Sequence, residues 1–170
     1  MRILLCILVR TGLISSALAA QAPSLPPDSL LEHMIGHWVL RGPMAGRNVV
    51  HDLDFQWVLG REYVEMHERS RELTATGAPA YEAIVYIMYD TTSRRYACLW
   101  LDNTASGPFS PIASAAPSSD SIPFLFRTSD TDTFHNTLVY HQKTDEWEWH
   151  MDNDSAGIRR PFARVTLTRQ

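Results

Sequence analysis

The feature that most limits what this chain can fold into is a beat of two. From His37 to Arg169, apolar and polar residues alternate in short runs that turn residues separate. In NVVHDLDFQWV, His51, Leu53, Phe55 and Trp57 fall on one face, and Asp52, Asp54 and Gln56 on the other. Comparable runs recur in HWVLRG, EYVEMHERSREL, YEAIVYIMYD, RRYACLWLDN, SPIASAA, IPFLFRT, TFHNTLVYHQ, EWEWHMDN and RPFARVTLTR. About ten short strands in hairpin order are therefore predicted, with turns such as Thr76-Gly77-Ala78-Pro79 and Lys143-Thr144-Asp145 between them. The one helix predicted covers LLEHMIG, capped by Asp28 or Ser29 and ended by Gly36.

An all-β chain must dispose of its strand edges. Closing the meander into an up-and-down antiparallel barrel of about ten strands removes them. A two-sheet sandwich is the alternative, but its crossing connections are longer than the turns here. The predicted organisation is a signal peptide over 1–19, an extended proline-rich lead-in over 20–29, and a single barrel domain over 30–170. The first segment, MRILLCILVRTGLISSALAA, has a basic start, apolar runs and a small-residue end, so an exported protein, periplasmic or secreted, is expected. Its removal leaves thirteen basic residues against nineteen acidic ones, a formal charge of −6. With no basic run and no further apolar stretch of about 20 residues, neither nucleic acid binding nor membrane insertion is expected. Cys6 leaves with the signal, and Cys98 in an apolar run reads as buried filler.

The stretch LLEHMIGHWVLRG places His33 and His37 four apart, which on one helix would bring both rings to one side. Gly36 breaks the helix between them, and no His-Glu-x-x-His pattern is present, so a metal site is not expected. What remains is Gly36-x-Trp38 entering the first strand, with Arg169 near the end of the last. This resembles the lipocalin and wider calycin barrels, in which such a tryptophan floors the barrel and an arginine of the last strand packs over it. A more specific resemblance is to a domain-of-unknown-function family of small secreted bacterial proteins. It rests on the Gly36-x-Trp38 opening, on Trp57-Val-Leu-Gly60-Arg-Glu-Tyr63 and on Tyr89-Asp90, and extends over about residues 30 to 170. The resemblance implies a calycin-like barrel in which Gly36, Trp38 and Arg169 are structural; it implies no reaction. Haem-binding barrels of the nitrobindin type open similarly, but their late His-Leu segment has no counterpart around His150, and no cofactor is expected.

Ten strands enclose a wider bore than the eight that side chains just fill, so an open lumen is expected in place of a filled core. Trp57, Tyr86, Trp100, Phe124 and Trp149 are candidates to wall it, the usual makeup of small-molecule sites. Tyr63, His67, His135 and His150 are candidate polar groups, against the plainer reading of a solvated outer face. In EWEWHMDN, Trp147, Trp149 and Met151 share one face and Glu148, His150 and Asp152 the other. Aromatics inward is the less costly arrangement; the reverse would make His150 and Asp152 half of a metal site. His51, in phase with Leu53 and Phe55, reads as a hydrogen-bonded core residue. The small-residue segment 102–119 is a candidate lip over the mouth.

Three functions compete: an exported barrel binding a small apolar or aromatic molecule, a cofactor-free lyase or isomerase using an inward His and Tyr, and a filled barrel serving as a subunit of an envelope assembly. An inward histidine with a carboxylate partner would favour catalysis, and an all-apolar lumen carriage.

Overall fold

The computed structural model describes residues 30–104, 109 and 111–170; the segments expected to be the signal peptide and lead-in lie outside them. Hairpin turns carry the chain through ten antiparallel strands: β1 (Gly36–Met44), β2 (Arg47–Val58), β3 (Tyr63–Ser70), β4 (Glu82–Asp90), β5 (Arg95–Asp102), β6 (Ala113–Ala115), β7 (Ser121–Arg127), β8 (Asp132–His141), β9 (Glu146–Ser155) and β10 (Ile158–Arg169). Each pairs with the next, and β10 returns to pair with β1, so the sheet is a closed up-and-down barrel. The shortest staves are at β6, which meets β7 through a single registered pair, Ser114 opposite Leu125. A five-residue helix, α1 (Leu30–Met34), precedes β1 and buries Leu30, Leu31 and Met34 against the barrel.

The apolar half of each alternating run faces inward. Leu40, Leu53, Phe55, Val64, Met66, Val85, Ile87, Ile122, Phe124, Leu138, Trp147, Trp149, Val165 and Leu167 are all buried in one core. A slip of one residue in any pairing would turn that strand's apolar set to water, which is why the pattern specifies the register.

The two ends of the cylinder differ. One carries α1 and the turns after β2, β4, β6 and β8; the other carries those after β1, β3, β5, β7 and β9. At the α1 end, Trp38 is 1% exposed and its Nε1 donates to the Met34 carbonyl at 2.7 Å. Arg169 lies directly across the β1–β10 ladder from Trp38 and sets its guanidinium carbon 4.1 Å from the indole centroid. It also donates to the carbonyls of Ile35 (2.8 Å) and His33 (3.2 Å), which end the short helix, and to Asp145 (2.6 Å). Asp145 is held below the usual carboxylate range by Arg169 and further by the Tyr140 hydroxyl. Gly36, at φ 126°, is what admits the arginine: a Cβ there would stand 2.7 Å from Nη1. Glycine, tryptophan and arginine form one plug.

Candidate functional site

The α1 half of the bore is filled. Trp147 and Trp149 are each 1% exposed, and Trp149 Nε1 donates to Asn136 Oδ1. The gap left among Phe55, Met66, Phe124, Leu138 and Trp149 is only about 10 Å³, room for one water at most. Trp149 leans on Trp100 with ring centroids 5.6 Å apart, and this pair makes a floor.

Above that floor the barrel is hollow. A cavity of about 760 Å³ runs to the end opposite α1, within the size range of small-molecule sites. Its apolar wall comes from Trp100, Phe126, Phe134, Met151 and Phe162, with Tyr81 from the connection between β3 and β4. Of the candidate lip, Thr104 and Pro111 line the mouth and Ala113–Ala115 form β6; residues 105–108 and 110 lie outside the described residues.

The wall opposite is polar. His51 of β2 and Glu68 of β3 both line the cavity, 3% and 1% exposed. His51 Nδ1 and Glu68 Oε1 are 2.5 Å apart, a short charge-assisted contact in low dielectric. The other carboxylate oxygen, Glu68 Oε2, is buried and has no hydrogen-bond partner among the described residues. Burial pushes the Glu68 carboxyl above the usual carboxylate range; the hydrogen bond and charge of His51 oppose this, and nearby Asp102 adds to it. Tyr81 stacks on His51 with centroids 5.7 Å apart and accepts a hydrogen bond from Trp100 Nε1 at 3.1 Å. Burial, with Glu68 and Asp102 nearby, raises the Tyr81 phenol. The register explains the grouping. Glu68 sits beside Ala83, and Ala83 beside Asp102, so a methyl on β4 separates two inward carboxylates on the strands flanking it.

Five of the nine residues expected to bind ligand do not face the lumen. Tyr63 and His67 lie on the outer face of β3, because the inner positions are held by Val64, Met66, Glu68 and Ser70. His67 pairs there with Glu82 at 2.7 Å. Tyr86 is likewise outside, donating to Glu65 at 2.8 Å, since β4 turns Ala83, Val85 and Ile87 inward. His135 meets Arg159, with Asp154 3.6 Å away, and His150 stands 3.2 Å from Glu148. Asp152 is engaged by Arg164, so His150 and Asp152 do not converge. Apart from His150 and Glu148, which share β9, these are pairs between strands outside the lumen, the less costly place for ionisable groups.

Of the other four, Trp100 lines the cavity. Trp149 and Phe124 point inward but belong to the packed layer beneath it. Trp57 is at the plugged end, where its Nε1 donates to Glu32 at 3.2 Å and Arg61 lies over its ring at 4.8 Å. Cys98 is in the packed layer as well, and burial raises its thiol.

Glu68, Tyr81 and Asp102 are absent from the sequence expectation, though two of them left a trace. Glu68 continues the parity of Val64 and Met66, and Asp102 that of Tyr96, Cys98 and Trp100. A charged residue in phase with an apolar face is the signal. No protein-family model and no curated protein matches the chain.

Proposed function

We propose that this protein is an exported barrel that binds one small, largely apolar or aromatic molecule in its lumen. The carrying observation is the 760 Å³ hollow, closed below by Trp100 and Trp149 and open at one end. Its aromatic wall supplies area to bury, and its few polar groups supply orientation. Export rests on the composition of the first nineteen residues. The likeness to calycin barrels supports the same reading, by analogy of fold. A filled barrel acting as an envelope subunit fits poorly with the hollow.

The test is native mass spectrometry of protein recovered from its own host. A retained small molecule, lost on denaturation, is the expected result. Repeated recovery of empty protein that no apolar or aromatic compound library shifts would overturn the reading.

A second reading has one observation of its own. His51 is an inward histidine with a carboxylate partner, the arrangement that favours acid–base chemistry over carriage. Glu68 orients the ring through Nδ1 and leaves Nε2 to exchange a proton with a bound molecule, as in a cofactor-free lyase or isomerase. Here the recovered ligand, returned to fresh protein, changes mass or isomer over time. Conversion that persists in His51→Gln would end this reading and leave binding intact.

A further inference from the structure

The cavity has a strongly uneven charge inventory. Glu68, Glu72, Asp102, Asp132 and Asp154 line it, against one arginine, Arg47, and one histidine, His51, which meets the other oxygen of Glu68. That arginine is already committed, 3.2 Å from Glu72, and Asp154 faces His135. Asp132 is served by the hydroxyls of Ser129 and Ser155, which hold it below the usual carboxylate range as an anion. Asp102 takes the backbone N–H and hydroxyl of Thr104. No cationic partner reaches Asp102 or Asp132 among the described residues.

An acidic lining alone would be only a solvated rim. Glu68 is different, because it is 1% exposed and one of its oxygens is orphaned at the cavity wall. Buried polar atoms are nearly always partnered; the other orphan among the described residues, Trp147 Nε1, adjoins no cavity, whereas Glu68 Oε2 stands at the wall of this one, where a ligand can complete it. Where Glu68 is ionised, that oxygen only accepts, so the ligand brings the donor. The surroundings select the donor's charge: Asp102 stands one alanine away, and the aromatic rings of Tyr81 and Trp100 line the same cavity. Among the described residues no lysine or arginine lies at this spot; Arg47 is at the mouth, bound to Glu72.

Resting on the lumen-binding reading, we infer that the ligand carries a basic nitrogen: an amine, amidine or guanidine on an apolar or aromatic body, its cationic head seated between Glu68 Oε2 and Asp102. The head completes the hydrogen bonding of the buried carboxylate, and the body lies against Trp100, Phe126, Phe134 and Phe162. An anionic compound of the same shape meets uncompensated like charges and is rejected.

The experiment compares three fluorescent probes with one ring system and different tails: dansylcadaverine with a terminal ammonium, N-pentyl dansylamide with a neutral tail, and dansyl-aminocaproate with a carboxylate. Each is titrated into the full-length protein, the dansyl emission reporting entry into an apolar site. The ammonium probe is expected to bind at least about tenfold tighter than the neutral one, as a charge-assisted hydrogen bond provides, with the carboxylate weakest. Glu68→Gln should erase the ammonium advantage and leave the neutral probe unchanged, and Asp102→Asn should reduce it. Equal affinity of ammonium and neutral probes would overturn the inference while leaving lumen binding in place. Absence of binding by all three at millimolar concentration, together with empty protein from the host, would overturn both. Equal loss of every probe in a folded Glu68→Gln protein would also sink the inference, by reducing Glu68 to scaffolding.

Discussion

The two ends of this barrel use the same residue types to opposite effect. At the α1 end, an arginine, an aspartate and an indole are arranged so that every hydrogen-bonding group is met: Arg169 reaches two carbonyls and a carboxylate, and Trp38 a third carbonyl. In the hollow half a glutamate is buried more deeply than any of the plug's charges, yet one of its oxygens is left without a partner. The packed half has an orphan of its own, Trp147 Nε1, but no cavity adjoins it, whereas Glu68 Oε2 stands at the wall of the hollow. On the proposed reading the contrast separates what holds the fold from what binds, as natural proteins place their unfavourable arrangements at working sites.

That contrast can be broken by mutation. The largest expected effect is at the plug. Trp38→Ala should cost about 3–5 kcal/mol, as other buried large-to-small aromatic changes do, measured by urea denaturation. A cost below about 1 kcal/mol would show that the seal contributes little to stability. Arg169→Met keeps an apolar cover on the indole but abandons two carbonyls and Asp145, and should cost about 1–2 kcal/mol. If Arg169→Met proved neutral, the satisfied end would owe its stability to apolar packing alone.

Opposite in sign is Glu68→Gln. The fold raises the Glu68 carboxyl above its ordinary value of 4.5, so the native state holds this proton more tightly than the unfolded chain. The stability from that group is complete below the unfolded value and is lost as pH rises through the raised one. Glutamine cannot ionise and avoids the loss. Thermal melts should therefore place Glu68→Gln above the parent at neutral pH, with the gap closing as pH falls toward 4.5. A gap that widens toward acid would mean that the His51 contact, rather than burial, governs the carboxylate. The smallest effects belong to the outer face. His67→Ala and His150→Ala should change stability by no more than about 0.5 kcal/mol and leave probe affinity unaltered; a clear loss of affinity in either would mean that the outer wall feels the lumen.

The closed barrel and its strand faces are legible in the sequence because period-two alternation reports directly which side chains share a side. The packing of Arg169 over Trp38 beside Gly36 is what the resemblance to calycin barrels implies, and the pairing of the first strand with the last is what brings these residues together. The cavity wall is less accessible, for two physical reasons. Parity identifies a face but not a height. Trp57, Trp149 and Phe124 all point inward, yet their level along the barrel axis follows from strand tilt and register, which put them below the hollow. Histidine and tyrosine also attract attention as chemistry-bearing residues, whereas their parity decides their side. In VEMHERS the apolar Val64 and Met66 already assign His67 to the outside and Glu68 to the inside. The informative residue was the carboxylate out of keeping with its neighbours.

A vessel sealed at its base has a kinetic consequence. Because indoles and a guanidinium stopper one end, whatever enters must leave by the route it came, and no molecule can push its predecessor through. For a ligand bound as proposed, exchange is then sequential, and its dwell time follows from how tightly the lumen holds it. A change at the rim that leaves equilibrium affinity untouched would shift arrival and departure by the same factor, because the one mouth serves both.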